Sequence, residues 1–149
     1  PKPHLIVEPG RSIVARSGVA IYKIGSIKNI PGVRKYVSID GGMGDNIRPA
    51  LYQSKYSIFH VTRILEKPTE KVTVVGKFCE SGDILSNESL LPKLKYGDLI
   101  ISATSGAYNI AMSSNYNMYC RPTIIIVNNG NHKVIKRRET HEDLLSHFV

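Results

Sequence analysis

The sequence predicts a mainly β domain, a Greek-key barrel or sandwich with a few short helices at its margin. Three observations predict it. Short stretches rich in Val, Ile and Tyr recur along the 149 residues, each bounded by Gly, Pro, Asn or Asp. Val72, Val74, Gly76 and Phe78 fall on one face at period two, the alternation of a strand with one side against a core. Asn128-Asn129-Gly130-Asn131 stands between two such runs, and Asn and Gly tolerate the positive φ of a tight hairpin.

The predicted strands cover residues 19–28, 34–40, 56–65, 71–78, 98–104, 122–127 and 133–138, with antiparallel pairing implied by the hairpin. Helical signal is brief. A turn or two is expected over 12–17 and again over 108–114. A last helix is expected after Thr140, whose hydroxyl, with the carboxylate of Asp143 three residues on, forms a capping pattern ahead of Leu144, Leu145 and Phe148. No repeat of 20 to 50 residues or low-complexity segment interrupts the chain.

Length and 42% hydrophobic content fit one ordinary core. The longest uninterrupted aliphatic run, residues 124–127, is far short of the ~20 apolar residues of a membrane helix, so a soluble protein with no membrane partner is expected. Two cysteines, Cys79 and Cys120, cannot build a disulfide framework, and a reducing, cytoplasmic setting is expected. The chain opens Pro1-Lys2-Pro3, with neither a methionine nor a signal pattern, and is expected to be a piece of something longer.

The net charge of +8 favours anionic partners without choosing among them. Lys133, Lys136, Arg137 and Arg138 alternate with Val134 and Ile135 as a solvated strand face does. A nucleic-acid-binding barrel would need stacking residues among its cations; aromatics make up 7% and Trp is missing, so no nucleic-acid partner is expected.

Four short segments carry chemistry beyond structural filler. In Glu8-Pro9-Gly10-Arg11 an apolar run, Leu5-Ile6-Val7, ends in a turn that opens a helix, leaving amides free for a phosphate and a guanidinium fork for a carboxylate. Taken alone this is also an ordinary turn. In Asp40-Gly41-Gly42-Met43-Gly44-Asp45-Asn46-Ile47-Arg48-Pro49-Ala50-Leu51-Tyr52, three glycines in four residues make an irregular loop. Arg48 and Tyr52 stand four apart, on one side of a helical turn. A flexible surface loop is the plain alternative. Phe78-Cys79-Glu80-Ser81-Gly82-Asp83 places a thiol beside two carboxylates, where a cysteine is often only a small core residue. The fourth segment is Ser105-Gly106-Ala107-Tyr108.

Together, in this order and spacing, the four segments closely resemble the carboxy-terminal part of the diaminopimelate decarboxylase family, in the alanine-racemase-like group of pyridoxal-phosphate enzymes. Arg137-Arg138-Glu139-Thr140 and Glu142-Asp143-Leu144-Leu145 extend the resemblance over nearly the whole chain. Related ornithine and arginine decarboxylases are expected to place Asp after the thiol, where this chain has Glu80. Cys120-Arg121-Pro122-Thr123 departs from the family's usual Arg-Pro-Arg-Pro-Ala, at a place that concerns packing more than chemistry.

The resemblance implies the carboxy-terminal domain of a two-domain enzyme. Residues 1–17 would be a remnant of the last strand and following helix of a missing (β/α)8 barrel, and 18–149 the β domain. The cofactor would be pyridoxal 5'-phosphate, with the imine-forming lysine on the missing barrel, so this chain would be inactive alone. The reaction would be decarboxylation of meso-2,6-diaminopimelate to L-lysine and carbon dioxide, in a homodimer whose active site lies at the subunit interface. Glu8, Pro9, Gly10 and Arg11 would hold the cofactor, with Tyr108 against cofactor and substrate. Arg11, Arg48 and Tyr52 would grip the substrate. Cys79, reaching across the interface, would donate the proton, and Glu80 would bind the distal ammonium. A thiol suits that role because its usual pKa of ~8.5 keeps it mostly protonated near neutrality. No metal is expected. The weighed alternatives are a decarboxylase of ornithine, arginine or carboxynorspermidine, and a non-catalytic regulatory homologue.

Overall fold

The computed structural model describes residues 2–149. Its first helix, α1 (Gly10–Val14), runs into a 3-10 turn at Ala15–Ser17, covering the expected helical span of 12–17 and starting two residues before it. The strands are β1 (Ala20–Ile30), β2 (Arg34–Ile39), β3 (Ile58–His60), β4 (Glu70–Val75), β5 (Ile84–Leu91), β6 (Leu99–Ser102), β7 (Ile124–Asn128) and β8 (Asn131–Lys136). Short helices α2 (Arg48–Tyr52), α3 (Asn109–Met112) and α4 (His141–Leu145) lie between and after them. Thr140 caps α4 reciprocally: its hydroxyl accepts from the Asp143 N–H at 3.3 Å while the Asp143 carboxylate accepts from the Thr140 N–H at 2.8 Å.

Six strands form one sheet in the order β3-β6-β1-β2-β4-β5, and its two edges, β3 and β5, approach each other, giving the nearly closed, mainly β barrel that was expected. The core is built from alternate residues: Tyr22 and Ile24 of β1, Val37 and Ile39 of β2, Val72 and Val74 of β4, Leu85 and Leu91 of β5, and Ile100 of β6. Fully burying one such aliphatic side chain contributes about 1.5–3 kcal/mol, so these strands hold the register of everything attached to them.

One pairing departs from the antiparallel expectation. β2 and β4 run parallel, with Val37 opposite Val74. A parallel pair cannot be joined by a tight turn; it needs a crossover of a dozen or more residues. That crossover is 40–69, and it carries the glycine loop, α2 and β3. The topology therefore places the Asp40 to Tyr52 segment against the barrel instead of leaving it as a free surface loop.

Several boundaries differ for local reasons. The strand expected over 56–65 stops at His60, because the His60 Nδ1 accepts the N–H groups of Thr62 (3.3 Å) and Arg63 (3.2 Å) and turns the chain. On the other side of the ring, Nε2 lies 3.2 Å from Arg63 Nε and 3.3 Å from Asp98 Oδ2. The strand expected to reach 78 ends at Val75, yet Phe78 is buried beyond it. β5 was not expected at all, its middle, Ser86-Asn87-Glu88-Ser89, being polar. The apolar run Leu5-Ile6-Val7 forms no strand and is exposed, with no strand beside it among the described residues. β7 and β8 make the expected hairpin, with Asn129 (φ 49°) and Gly130 (φ 77°) at its tip, but it stands off the barrel with Ile126, Val127, Val134 and Ile135 all exposed. The charged run on β8 is thus solvated on both faces, not one.

Candidate substrate-binding and proton-donor site

Arg48 opens α2, where Pro49 at the first turn fixes a helical φ. Its guanidinium carbon lies 5.0 Å from the Tyr52 ring centre and 4.5 Å from that of Tyr108, so the cation is stacked against two phenols. One end-nitrogen reaches the Met112 sulfur at 3.8 Å, and Nε is buried with no hydrogen-bond partner among the described residues. The structure thus brings Arg48, Tyr52 and Tyr108 together from two separate segments. Both tyrosines remain exposed to solvent on one side.

Tyr108 holds φ 69° and ψ −35°, a left-handed conformation that costs a non-glycine residue of order 1–3 kcal/mol. The loop that fixes it is clamped on the 3-10 turn: Gly106 N–H donates to Ala15 O at 3.0 Å and Ser105 N–H to Gly18 O at 2.8 Å. A Cβ at Gly106 would stand 2.1 Å from Val14 O, so only glycine permits this approach. The α1 region is thereby tied to the loop that carries Tyr108. Glu8, Pro9, Gly10 and Arg11 are themselves exposed, and the space around Gly10 is open. Among the described residues no hydrogen bond, ion pair or cation–π contact joins them to the Arg48 group.

Cys79 and Glu80 sit on a tight turn between β4 and β5. Cys79 is exposed, and its N–H donates to Asn117 Oδ1 at 3.1 Å. Glu80 Oε1 accepts from the Ser81 hydroxyl (3.2 Å) and the Gly82 N–H (3.3 Å), which leaves the other oxygen open to a ligand. Phe78, just before the thiol, packs edge-on to Tyr119 at 5.1 Å and against Tyr116 at 6.1 Å. The turn reaches α2: a Cβ at Gly82 would be 4.0 Å from the Cβ of Ala50. Within this chain, among the described residues, no hydrogen bond joins Cys79 to Arg48, Tyr52 or Tyr108.

Three supporting residues went unread in the sequence. Asn117 is one, held in a left-handed conformation (φ 53°) that Asn tolerates. Asn46, buried, accepts the Arg48 N–H at 3.3 Å. Asp83 was quoted within its motif but given no role. The Asn117 loop is in turn fixed by Glu139, which accepts from Asn115 (2.7 Å) and the Arg121 N–H (2.8 Å). Burial pushes the Glu139 carboxyl up, but those two bonds and the charges of Lys136 and Arg121 outweigh it and hold it below the usual range.

Beneath the glycine loop, burial raises Asp45 above the ordinary carboxylate range, opposed by the Gly42 N–H and by Lys77 and Arg138, and reinforced by Asp40. A folded value above the unfolded one makes Asp45 favour folding most in acid, a contribution lost as the pH rises through the raised value. Asp45→Asn is therefore expected to flatten the loss of stability as the pH rises from ~3.9 upward. Urea midpoints of both proteins at pH 4 and pH 7 measure it; an equal change in the two would refute this.

The family model of the pyridoxal-dependent decarboxylase C-terminal sheet domain matches residues 13–106. The chain belongs to that family, as a carboxy-terminal sheet domain. Among its relatives, diaminopimelate decarboxylase of Bacillus subtilis strain 168 is 48% identical over 143 residues, covering 96% of this chain and 33% of the relative. That of Synechocystis is 49% identical over 145 residues, covering 97% and 31%. The solved diaminopimelate decarboxylase from M. jannaschii in co-complex with L-lysine superimposes with a TM-score of 0.87 at 37% identity, over 99% of this chain and 33% of that one. The chain spans about a third of the length of the curated relatives it matches. Among the described residues no helix is long and apolar enough to cross a membrane.

Proposed function

We propose that this chain is the β-domain part of a decarboxylase that converts meso-2,6-diaminopimelate to L-lysine and carbon dioxide, the last step of lysine biosynthesis. The observation that carries the reading is Arg48 stacked between Tyr52 and Tyr108 beside a turn that presents Cys79 and Glu80, in a chain 48% identical to a diaminopimelate decarboxylase over almost its full extent. Residues 1–17 belong in this reading to a (β/α)8 barrel formed by the rest of the protein, which also supplies the lysine that holds the cofactor. The working protein is a cytoplasmic homodimer, with Cys79 serving the partner's site. The lack of any hydrogen bond between Cys79 and Arg48 among the described residues accords with that arrangement.

The residues present fit pyridoxal phosphate and an amino-acid substrate. Arg48 Nε is a buried donor without a hydrogen-bond partner among the described residues, Glu80 has one carboxylate oxygen free, and the turn at Gly10 is open to an anion. Glu8, Pro9, Gly10, Arg11 and Tyr108 would hold the cofactor, which when bound supplies the electron sink for the broken carbon–carbon bond. Arg48 pairs with a substrate carboxylate through a planar fork, with Arg11 available for the second carboxylate. Tyr52 and Tyr108 line the apolar stem, and Glu80 neutralises the distal ammonium. Cys79 Sγ–H gives its proton to the carbon that has lost carbon dioxide, and the exposed thiolate regains one from water.

The test is the full-length protein with pyridoxal phosphate, offered meso-diaminopimelate, ornithine, arginine and carboxynorspermidine separately. L-lysine from the first and no amine from the others is the expected result. A polyamine product, or no product from any of the four, would overturn it.

A further inference from the structure

The two loops of the site are joined through one carboxylate. Asp83 is buried, and its two oxygens are used separately: Oδ1 accepts the Met43 N–H at 2.7 Å and Oδ2 accepts the Phe78 N–H at 2.9 Å. Met43 lies in the glycine loop that leads into Arg48, and Phe78 immediately precedes Cys79. The Lys77 N–H also donates to Gly41 O at 3.0 Å, along the same seam. Two glycines make room for the carboxylate. A Cβ at Gly76 would stand 2.0 Å from Asp83 Oδ2, and one at Gly42 would stand 2.5 Å from Oδ1. The backbone closes on this side chain from both sides, at positions that other residues could not occupy without displacing it.

We propose that Asp83 is a positioning residue that sets the placement of Arg48 and Cys79 together. The inference deepens the proposed function: it rests on Arg48 gripping the substrate and Cys79 donating the proton. Because the thiol serves the partner's site in that reading, the clamp ties the grip of one site to the proton donor of the other. A carboxylate can accept two amide N–H groups on two oxygens, whereas a carboxamide offers one acceptor oxygen and turns a donor toward the second N–H. Asp83→Asn therefore breaks one arm of the clamp while keeping its shape.

The test uses the full-length protein. In Asp83→Asn, amide exchange is expected to quicken in both segments 41–47 and 76–83. The folded enzyme is expected to lose kcat and gain KM together, with kcat/KM down roughly 10²-fold, the scale of a misplacement of about 1 Å. Gly76→Ala, which keeps the carboxylate but pushes on it, is expected to reproduce the pattern and serves if Asp83→Asn fails to fold. Exchange that quickens in one segment only, or kcat and KM that stay unchanged in the folded protein, would overturn the clamp. If the unaltered protein releases no lysine from diaminopimelate, the function fails, and the exchange of the two segments still decides the clamp.

Discussion

In the full-length protein, Cys79→Ser is expected to lower kcat by roughly 10²- to 10⁴-fold, the usual share of a positioned proton donor. A serine hydroxyl is far less acidic than a thiol, so it keeps the geometry and loses the proton transfer. Binding of L-lysine should change little, since the thiol is not needed to hold the product. The melting temperature should also stay put, because Cys79 is exposed and its anchor is the backbone N–H on Asn117, which serine retains. Turnover and lysine affinity measured side by side check this. Equal losses in both would make the thiol a binding or structural group.

Arg48→Met is expected to act on the other quantity. Methionine keeps an unbranched apolar stem between the rings of Tyr52 and Tyr108 but removes the fork and the charge. Hydrogen bonds to a charged group are worth about 1.5–3 kcal/mol, and about 1.4 kcal/mol is tenfold, so KM for diaminopimelate should rise roughly 10- to 100-fold. The fall in kcat should be smaller. Steady-state kinetics over a wide substrate range separates the two, and an unchanged KM would remove Arg48 from substrate binding.

Much of the fold was legible because the signals were local. Period-two alternation marked β4, the Asn-Gly pair marked the β7–β8 tip, and Thr140 with Asp143 marked the start of α4. What escaped depended on neighbours distant in sequence. β5 escaped because its middle is polar: Asn87 and Glu88 are exposed, while the buried Ser89 donates to Ser86 at 2.8 Å and Thr73 of β4 donates to Asn87 O at 2.6 Å across the strands. The parallel pairing of β2 with β4 has no local signature at all.

The site divides in the same way. Arg48 and Tyr52 could be placed on one helical face by their spacing, and the structure adds Tyr108 from more than fifty residues away. Their support could not be seen. Asn117 accepts from Cys79 across thirty-eight positions, and Asp83 reaches Met43 across forty. Nothing about an isolated Asn or Asp distinguishes such a role from an ordinary turn residue.

The most direct measurement is a crystal structure of the full-length protein with L-lysine bound. Arg48, Tyr52 and Tyr108 of one subunit should line the lysine, with Cys79 and Glu80 arriving from the other. Lysine held elsewhere, or an Arg48 group that faces only solvent while Cys79 points away from every bound ligand, would contradict it.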